Sequence, residues 1–116
     1  MAYQSKFPHG IMFHRFKDEK DKNSTKGTLT SKNLKRIINL IGRERILDPK
    51  EWIHKMHNGN LLNKHVCFTF DDGLKSQIKI ALPILEKFNI KAFWFVHCKT
   101  LPNNFDKNEI FSLLII

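Results

Sequence analysis

The sequence predicts an α/β fold with about four parallel strands, and three observations support that prediction. Short apolar runs alternate with amphipathic segments in the order strand, helix, helix, strand, helix, strand. Val66–Phe70 is a continuous apolar run, which is typical of a strand covered on both faces. The chain has 116 residues, of which 41% are hydrophobic, and this suits one domain with a packed core.

The first half contains one strand and two helices with marked ends. Gly10–His14 reads as a short buried strand. The first helix has Thr30 as N-cap and Gly42 at its end, and its apolar residues recur at i, i+3, i+4 and i+7. Those apolar residues are Leu34, Ile37, Ile38 and Ile41. The second helix begins at Asp48-Pro49-Lys50-Glu51, where an N-cap precedes proline, and runs to about His57.

The remaining elements complete the predicted alternation. Ile46–Leu47 reads as a very short strand between the two helices. After Val66–Phe70, the stretch Ser76–Phe88 has a helical pattern that Pro83 breaks or restarts. Lys91–Val96 reads as the last buried strand. Together with Gly10–His14, these runs give the count of about four strands.

Composition and charge indicate where the protein is expected in the cell, but they do not indicate its function. The formal charge is +9, and most of it lies in residues 1–65, which hold 14 Lys and Arg against 6 Asp and Glu. Such a charge favours anionic partners, although a lysine-rich solvated surface explains it equally. Cys67 and Cys98 lie in apolar surroundings and read as buried thiols. No signal-like or membrane-length apolar segment is seen, so a cytoplasmic protein without a membrane span is expected.

The strongest chemical signal is the pair of carboxylates in Thr69-Phe70-Asp71-Asp72-Gly73, at the end of the Val66–Phe70 strand. Sites in α/β folds form at the carboxyl ends of strands. A turn at Gly73 can bring Asp72 back to the cleft beside Asp71, where one carboxylate binds a cation and the other takes a proton. The alternative is a plain strand-to-helix turn, with aspartate as N-cap and glycine at positive φ.

These residues belong to a longer pattern that resembles the polysaccharide deacetylases, the NodB-homology family of carbohydrate esterases. The pattern is Phe68–Gly73, then Ala81–Phe88 with its Leu-Pro-Ile-Leu, then Lys91–Val96 with its Ala-Phe-Trp-Phe. Gly10–Phe16 also resembles the family's opening strand, which commonly ends in Tyr-His. The resemblance covers roughly residues 9–100.

The resemblance implies a distorted (β/α) barrel that binds a divalent metal, zinc being the expected one. It also implies hydrolysis of acetyl groups on the amino sugars of a polysaccharide or glycan. By this resemblance Asp71 is the catalytic base, Asp72 is a metal ligand, and Gly73 forms the turn. His14 matches a position near the cleft. An acetylated carbohydrate is the implied substrate.

The family's second motif, in which two histidines complete the metal site, does not occur in this sequence. His97 follows the last predicted strand and could face the cleft, and His54 and His57 share a helix face, but none of them matches that motif. We therefore expect residues 1–116 to be a single partial domain, truncated at its C-terminus and inactive alone. A second chain could supply the missing half of the barrel.

Two other functions remain open. The chain could be a degenerate member of the family that binds a glycan or a protein partner without chemistry. It could also be a small basic nucleic-acid-binding protein, although no recognisable module is present and nucleic acid is not the expected partner. The basic residues that favour this last hypothesis lie close together in the sequence: Lys32, Lys35, Arg36, Arg43 and Arg45.

Overall fold

The centre of the molecule is a sheet of three parallel strands in the order β1-β2-β3. The structure is a computed structural model, and it describes residues 3–22 and 27–96. The strands are β1 (His9–Phe13), β2 (Val66–Phe70) and β3 (Phe93–Trp94). Phe13 pairs with Phe70, and Phe70 pairs with Trp94. All three strands therefore end at the same edge of the sheet.

Two helices connect β1 to β2, and both begin at the predicted caps. Helix α1 is Ser31–Ile41, and the Thr30 hydroxyl accepts a hydrogen bond from the Asn33 amide at 3.2 Å. It ends at Gly42, whose φ of 98° lies in the region that favours glycine. Helix α2 is Pro49–His57, and the Asp48 carboxylate accepts from the Glu51 amide at 2.8 Å. Each cap satisfies an amide that the helix leaves unpaired.

The connection from β2 to β3 is also helical, but it is not a uniform α-helix. A π-helical segment, Gln77–Ala81, leads directly into α3, Leu82–Lys87. Pro83 stands in the first turn of α3, and because it has no N–H it cannot donate a hydrogen bond to the helical residues before it. The change from π-helical to α-helical geometry falls at this point, in agreement with the prediction that Pro83 breaks or restarts the helix.

The described residues contain three strands, not about four, and the fourth is reduced to a single bridge. Ile46 makes an isolated parallel bridge with Val66, and the Leu47 amide donates to the Val66 carbonyl at 2.8 Å. Pairing stops there because Asp48 already caps α2. The last strand is also shorter than the predicted Lys91–Val96. These strands form an open sheet, so a closed barrel is not seen in the described part of the chain.

One face of the sheet carries the core. Side chains alternate along a strand, so the core residues of β1, β2 and β3 share the face that packs against α1 and α3, whereas the buried Cys67 lies on the opposite face. The aromatic rings stack there, and the Phe70 and Trp94 centroids are 4.3 Å apart. On the opposite face, Met12 is 67% exposed. The core residues from strands and helices include Phe13, Val66, Phe68, Phe70, Trp94, Leu34, Ile38 and Leu85.

Cys67 is buried, in agreement with its interpretation as a buried thiol. Burial raises the pKa of the Cys67 thiol to about 11, so the thiol is protonated at neutral pH. Cys98 lies outside the described residues. None of the described helices has the length and apolar content needed to cross a bilayer.

Candidate functional site

The two aspartates of the predicted motif lie where β2 ends. The Asp71 amide donates to the Phe13 carbonyl at 3.2 Å, which continues the pairing between β1 and β2 by one residue. On the other side, the Phe95 amide donates to the Phe70 carbonyl at 2.8 Å. Asp71 is thus fixed between the ends of two neighbouring strands, at the edge of the sheet where parallel folds form their sites.

A tight reversal follows Asp71. Asp72 and Gly73 both have positive φ, at 71° and 58°. Aspartate is among the few residues other than glycine that adopt this region at modest cost. A Cβ added to Gly73 would lie 2.9 Å from the Val96 Cγ1, so the turn also needs glycine because the segment that follows β3 passes close to it. The predicted turn at Gly73 therefore begins one residue earlier, at Asp72.

His14 contacts Asp72 across the ends of β1 and β2. The His14 Nε2 forms a hydrogen bond and ion pair with the Asp72 Oδ2, although the two residues are 58 positions apart in sequence. Their side chains are 45% and 37% exposed, so the pair remains accessible to a ligand. The resemblance places His14 near the cleft, and in the structure it is in direct contact with Asp72.

Both aspartates open onto one pocket of about 260 Å³, which Phe95 and Val96 complete. Neither aspartate is the N-cap, because the helical residues begin at Lys75 and the residue that precedes them is Leu74. The plain helix-cap interpretation of Asp71 and Asp72 therefore does not describe this turn. A pocket lined by two carboxylates, one of which contacts the His14 imidazole, is instead suited to acid–base chemistry or to cation binding.

Gln77 supports the two strand ends that carry His14 and Asp71, and it is not among the site residues predicted from the sequence. Its side chain is fully buried, and its Nε2 donates to the carbonyls of His14 at 2.8 Å and Asp71 at 2.6 Å. The Gln77 side-chain amide thus links the ends of β1 and β2, where His14, Asp71 and Asp72 lie. A signal was present, since Gln77 falls on the same helical face as the buried Ala81 and Leu85. A polar residue on such a face needs a hydrogen-bond partner.

The described residues do not complete a metal centre. Within 3–22 and 27–96, no three His, Cys, Asp or Glu side chains gather closely enough to hold a metal ion. A catalytic zinc usually takes three protein ligands, and the contact between Asp72 and His14 supplies two candidates. His97 lies outside the described residues. His54 lies in α2, where its Nε2 is 3.2 Å from the Asn58 Nδ2.

The basic residues near α1 are partly used in structural contacts. The Arg43 side chain donates to the carbonyls of Phe88 at 2.7 Å and Ile46 at 3.0 Å. The Arg45 side chain donates to the carbonyl of Lys64 at 3.0 Å and also contacts that of Tyr3. These two guanidinium groups join separate segments of the fold, which leaves a smaller basic surface for nucleic acid than the sequence predicts.

Comparisons with known proteins agree with the sequence resemblance. A family model described as polysaccharide deacetylase matches residues 58–109. No curated protein matches the chain. The fold is similar to that of a de-N-acetylase from Aggregatibacter actinomycetemcomitans, with a TM-score of 0.61 and 22% sequence identity. The match covers 75% of this chain and 36% of that one, and at this identity it shows the fold alone.

Proposed function

We propose that this chain, which resembles the polysaccharide deacetylases and matches their family model at residues 58–109, is part of a hydrolase that removes acetyl groups from the amino sugars of a polysaccharide or glycan. One observation carries the proposal. Asp71 and Asp72 open onto one pocket at the carboxyl ends of parallel strands, and Asp72 contacts His14 there. The substrate is an acetylated carbohydrate.

In this proposal Asp71 is the general base. It takes a proton from water as the water oxygen bonds to the acetyl carbon. The carbon–nitrogen bond then breaks as that proton passes to the leaving nitrogen, which gives a free amine and acetic acid, and the acid ionises to acetate. Backbone bonds on both sides hold Asp71 at the base of the pocket, so little reorganisation is needed for the proton transfer. His14 holds the Asp72 carboxylate in place across the pocket rim.

Metal dependence is a further part of the proposal. We assign Asp72 as a ligand of a divalent cation, zinc being the expected one, which polarises a carbonyl when bound. The described residues do not fit a complete zinc site, because the carboxylate–imidazole pair falls short of three ligands. Further ligands would come from outside the described residues.

The second candidate function is a degenerate protein that binds a glycan or a partner without chemistry. The same shortage of metal ligands in the described residues favours it. Zinc affinity separates the two candidates because only the hydrolase needs Asp72 as a ligand.

We predict that Asp72→Asn lowers the zinc affinity of the chain at least about tenfold, the loss typical of a disturbed metal site. Asparagine tolerates the positive φ at this position, so the fold should persist. The measurement is calorimetric zinc titration in a background with His54→Gln and His57→Gln, which removes the nearby histidine pair of α2. Asp18→Asn, in an exposed loop, is the matched control.

Zinc binding that Asp72→Asn leaves unchanged would favour the degenerate protein. A loss of affinity that Asp18→Asn produces equally would show a general charge effect, and the assignment of Asp72 would then be wrong.

A further inference from the structure

A second pocket lies beside the candidate site and is rich in cationic side chains. Its volume is about 280 Å³, and its lining includes Arg15, Lys17 and Lys75, against a single carboxylate, Asp21. We refer to this site, defined by the three cationic residues, as the basic pocket. Nothing in the proposed hydrolysis uses these three residues.

The basic pocket continues directly from the catalytic loops. Arg15 follows His14 in the sequence, and Lys75 is three residues beyond Asp72. Because consecutive Cα atoms are about 3.8 Å apart, the Cα atoms of Lys75 and Asp72 are separated by no more than about 11 Å. The contact between His14 and Asp72 joins the two loops at this point. The basic pocket and the pocket at Asp71 and Asp72 share no lining residue, but they lie on neighbouring segments of the chain, so a polymer longer than one sugar unit can span both.

The framework of the basic pocket is anchored by backbone hydrogen bonds. The Leu29 amide donates to the Arg15 carbonyl at 3.0 Å, and the Lys17 amide donates to the Leu29 carbonyl at 2.8 Å. Between them, the Phe16 amide donates to the Ser76 hydroxyl at 3.3 Å while the Phe16 ring is buried in the core. The backbone that carries Arg15 and Lys17 is thus held before any ligand arrives, which lowers the entropic cost of binding.

The charge of the pocket selects the ligand class. Three cationic side chains around one carboxylate leave an excess of positive charge in a concave surface, where the field is stronger than on a flat one. A guanidinium binds carboxylate or sulfate through two parallel hydrogen bonds, and lysines add charge. The nearby carboxylates of Asp71 and Asp72 disfavour an extended polyphosphate, which would bring negative charge along its whole length.

We infer that the basic pocket binds a carboxylate or sulfate group on a sugar unit next to the acetylated one, so that the substrate is an acidic acetylated polysaccharide. The inference rests on the proposed function, since it names the substrate of that site. The pocket then sets the position of the polymer, with the anionic unit at Arg15, Lys17 and Lys75 and the acetylated unit at Asp71.

The test compares two hexasaccharides that differ in charge. The acidic probe alternates glucuronate with N-acetylglucosamine, and the neutral probe is the N-acetylglucosamine hexamer. Affinities for the 116-residue chain are measured by calorimetry at 20 and 200 mM salt. The pocket variant combines Arg15→Gln, Lys17→Gln and Lys75→Gln. The control variant removes the same number of charges from exposed helix positions, with Arg36→Gln, Lys50→Gln and Lys87→Gln.

We expect the chain to bind the acidic probe at least about tenfold more tightly than the neutral one at low salt, with a smaller preference at high salt. The pocket variant should lose the preference and the control variant should keep it. The single change Lys75→Gln, at an exposed position, should also lower the preference for the acidic probe. It tests the pocket even if the triple variant does not fold.

Equal affinity for the two probes, or an equal loss in both triple variants, would overturn the inference. Equally tight binding of a single-stranded hexanucleotide that depends on the same three residues would assign the pocket to nucleic acid instead. Acetate release separates this inference from the proposed function. Acetate release without a preference for the acidic probe would support the hydrolase and rule out the anion site. A preference for the acidic probe with no acetate release from any form of the protein would support the anion site and rule out the hydrolase.

Discussion

At the scale of single residues, Gln77 connects the core to the candidate site. Its amide nitrogen joins the carbonyls of His14 and Asp71, and those residues with Asp72 line or border one pocket. Its Oε1 has no hydrogen-bond partner among the described residues. A buried amide that makes two bonds to strand ends positions the site without touching a substrate, and so we regard Gln77 as a positioning residue.

We predict that Gln77→Leu destabilises the fold by about 1–3 kcal/mol, because it leaves two buried carbonyl groups without their donor. The free energy of unfolding is measured by urea denaturation, with Gln4→Leu at an exposed position as the control. The control should change stability by less than about 0.5 kcal/mol. An effect of Gln77→Leu no larger than that of the control would contradict the positioning role.

At the scale of elements, the strands and helices with clear local signals could be predicted from the sequence. Thr30 and Asp48 are caps with defined hydrogen-bond chemistry, and both helices begin where these residues predict. The length of the strand at Ile46 could not be predicted from its own sequence. Ile46 pairs only with Val66, and the extent of that pairing depends on the tertiary fold. The short pairing of Phe93–Trp94 is likewise a tertiary property.

The loop before β2 leads to a prediction about pH. His65 is buried, and its Nδ1 accepts a hydrogen bond from the Leu62 amide at 2.9 Å. Burial lowers the pKa of His65 below its ordinary value of 6.5, and the charges of Lys55 and Lys64 lower it further. Below pH 6.5 the unfolded chain therefore binds a proton that the folded chain does not, so stability falls as the pH decreases.

We expect unfolding free energies measured between pH 7.5 and 5 to fall by at most about 1.4 kcal/mol per pH unit through this one group. His65→Asn keeps an acceptor for the Leu62 amide and should flatten the dependence, whereas His54→Gln on α2 should not. An identical pH profile for His65→Asn and the unchanged protein would show that His65 does not control acid stability.

At the scale of the whole molecule, the candidate site could be predicted and the extent of the barrel could not. The aspartates were found because adjacent acidic residues at a strand end are visible in the sequence, and the contact of His14 with Asp72 followed from parallel pairing of β1 with β2. The number of strands in the barrel cannot be predicted from local sequence patterns. A closed barrel takes about eight, and the described residues supply three in an open sheet. We propose that the others come from outside the described residues, in this chain or a second one.

The most direct test of the account is acetate release in the presence of zinc, measured with N-acetylated chitooligosaccharides and with the acidic hexasaccharide that alternates glucuronate with N-acetylglucosamine. It is measured for the 116-residue chain and for the chain joined to any reading frame that follows codon 116. We predict no turnover by the chain alone, and turnover by the joined protein that Asp71→Asn lowers at least about 100-fold, the lower range of a general-base contribution. The exposed control Glu86→Gln should leave that rate unchanged. Acetate release that survives Asp71→Asn, or no release from either protein, would contradict the account.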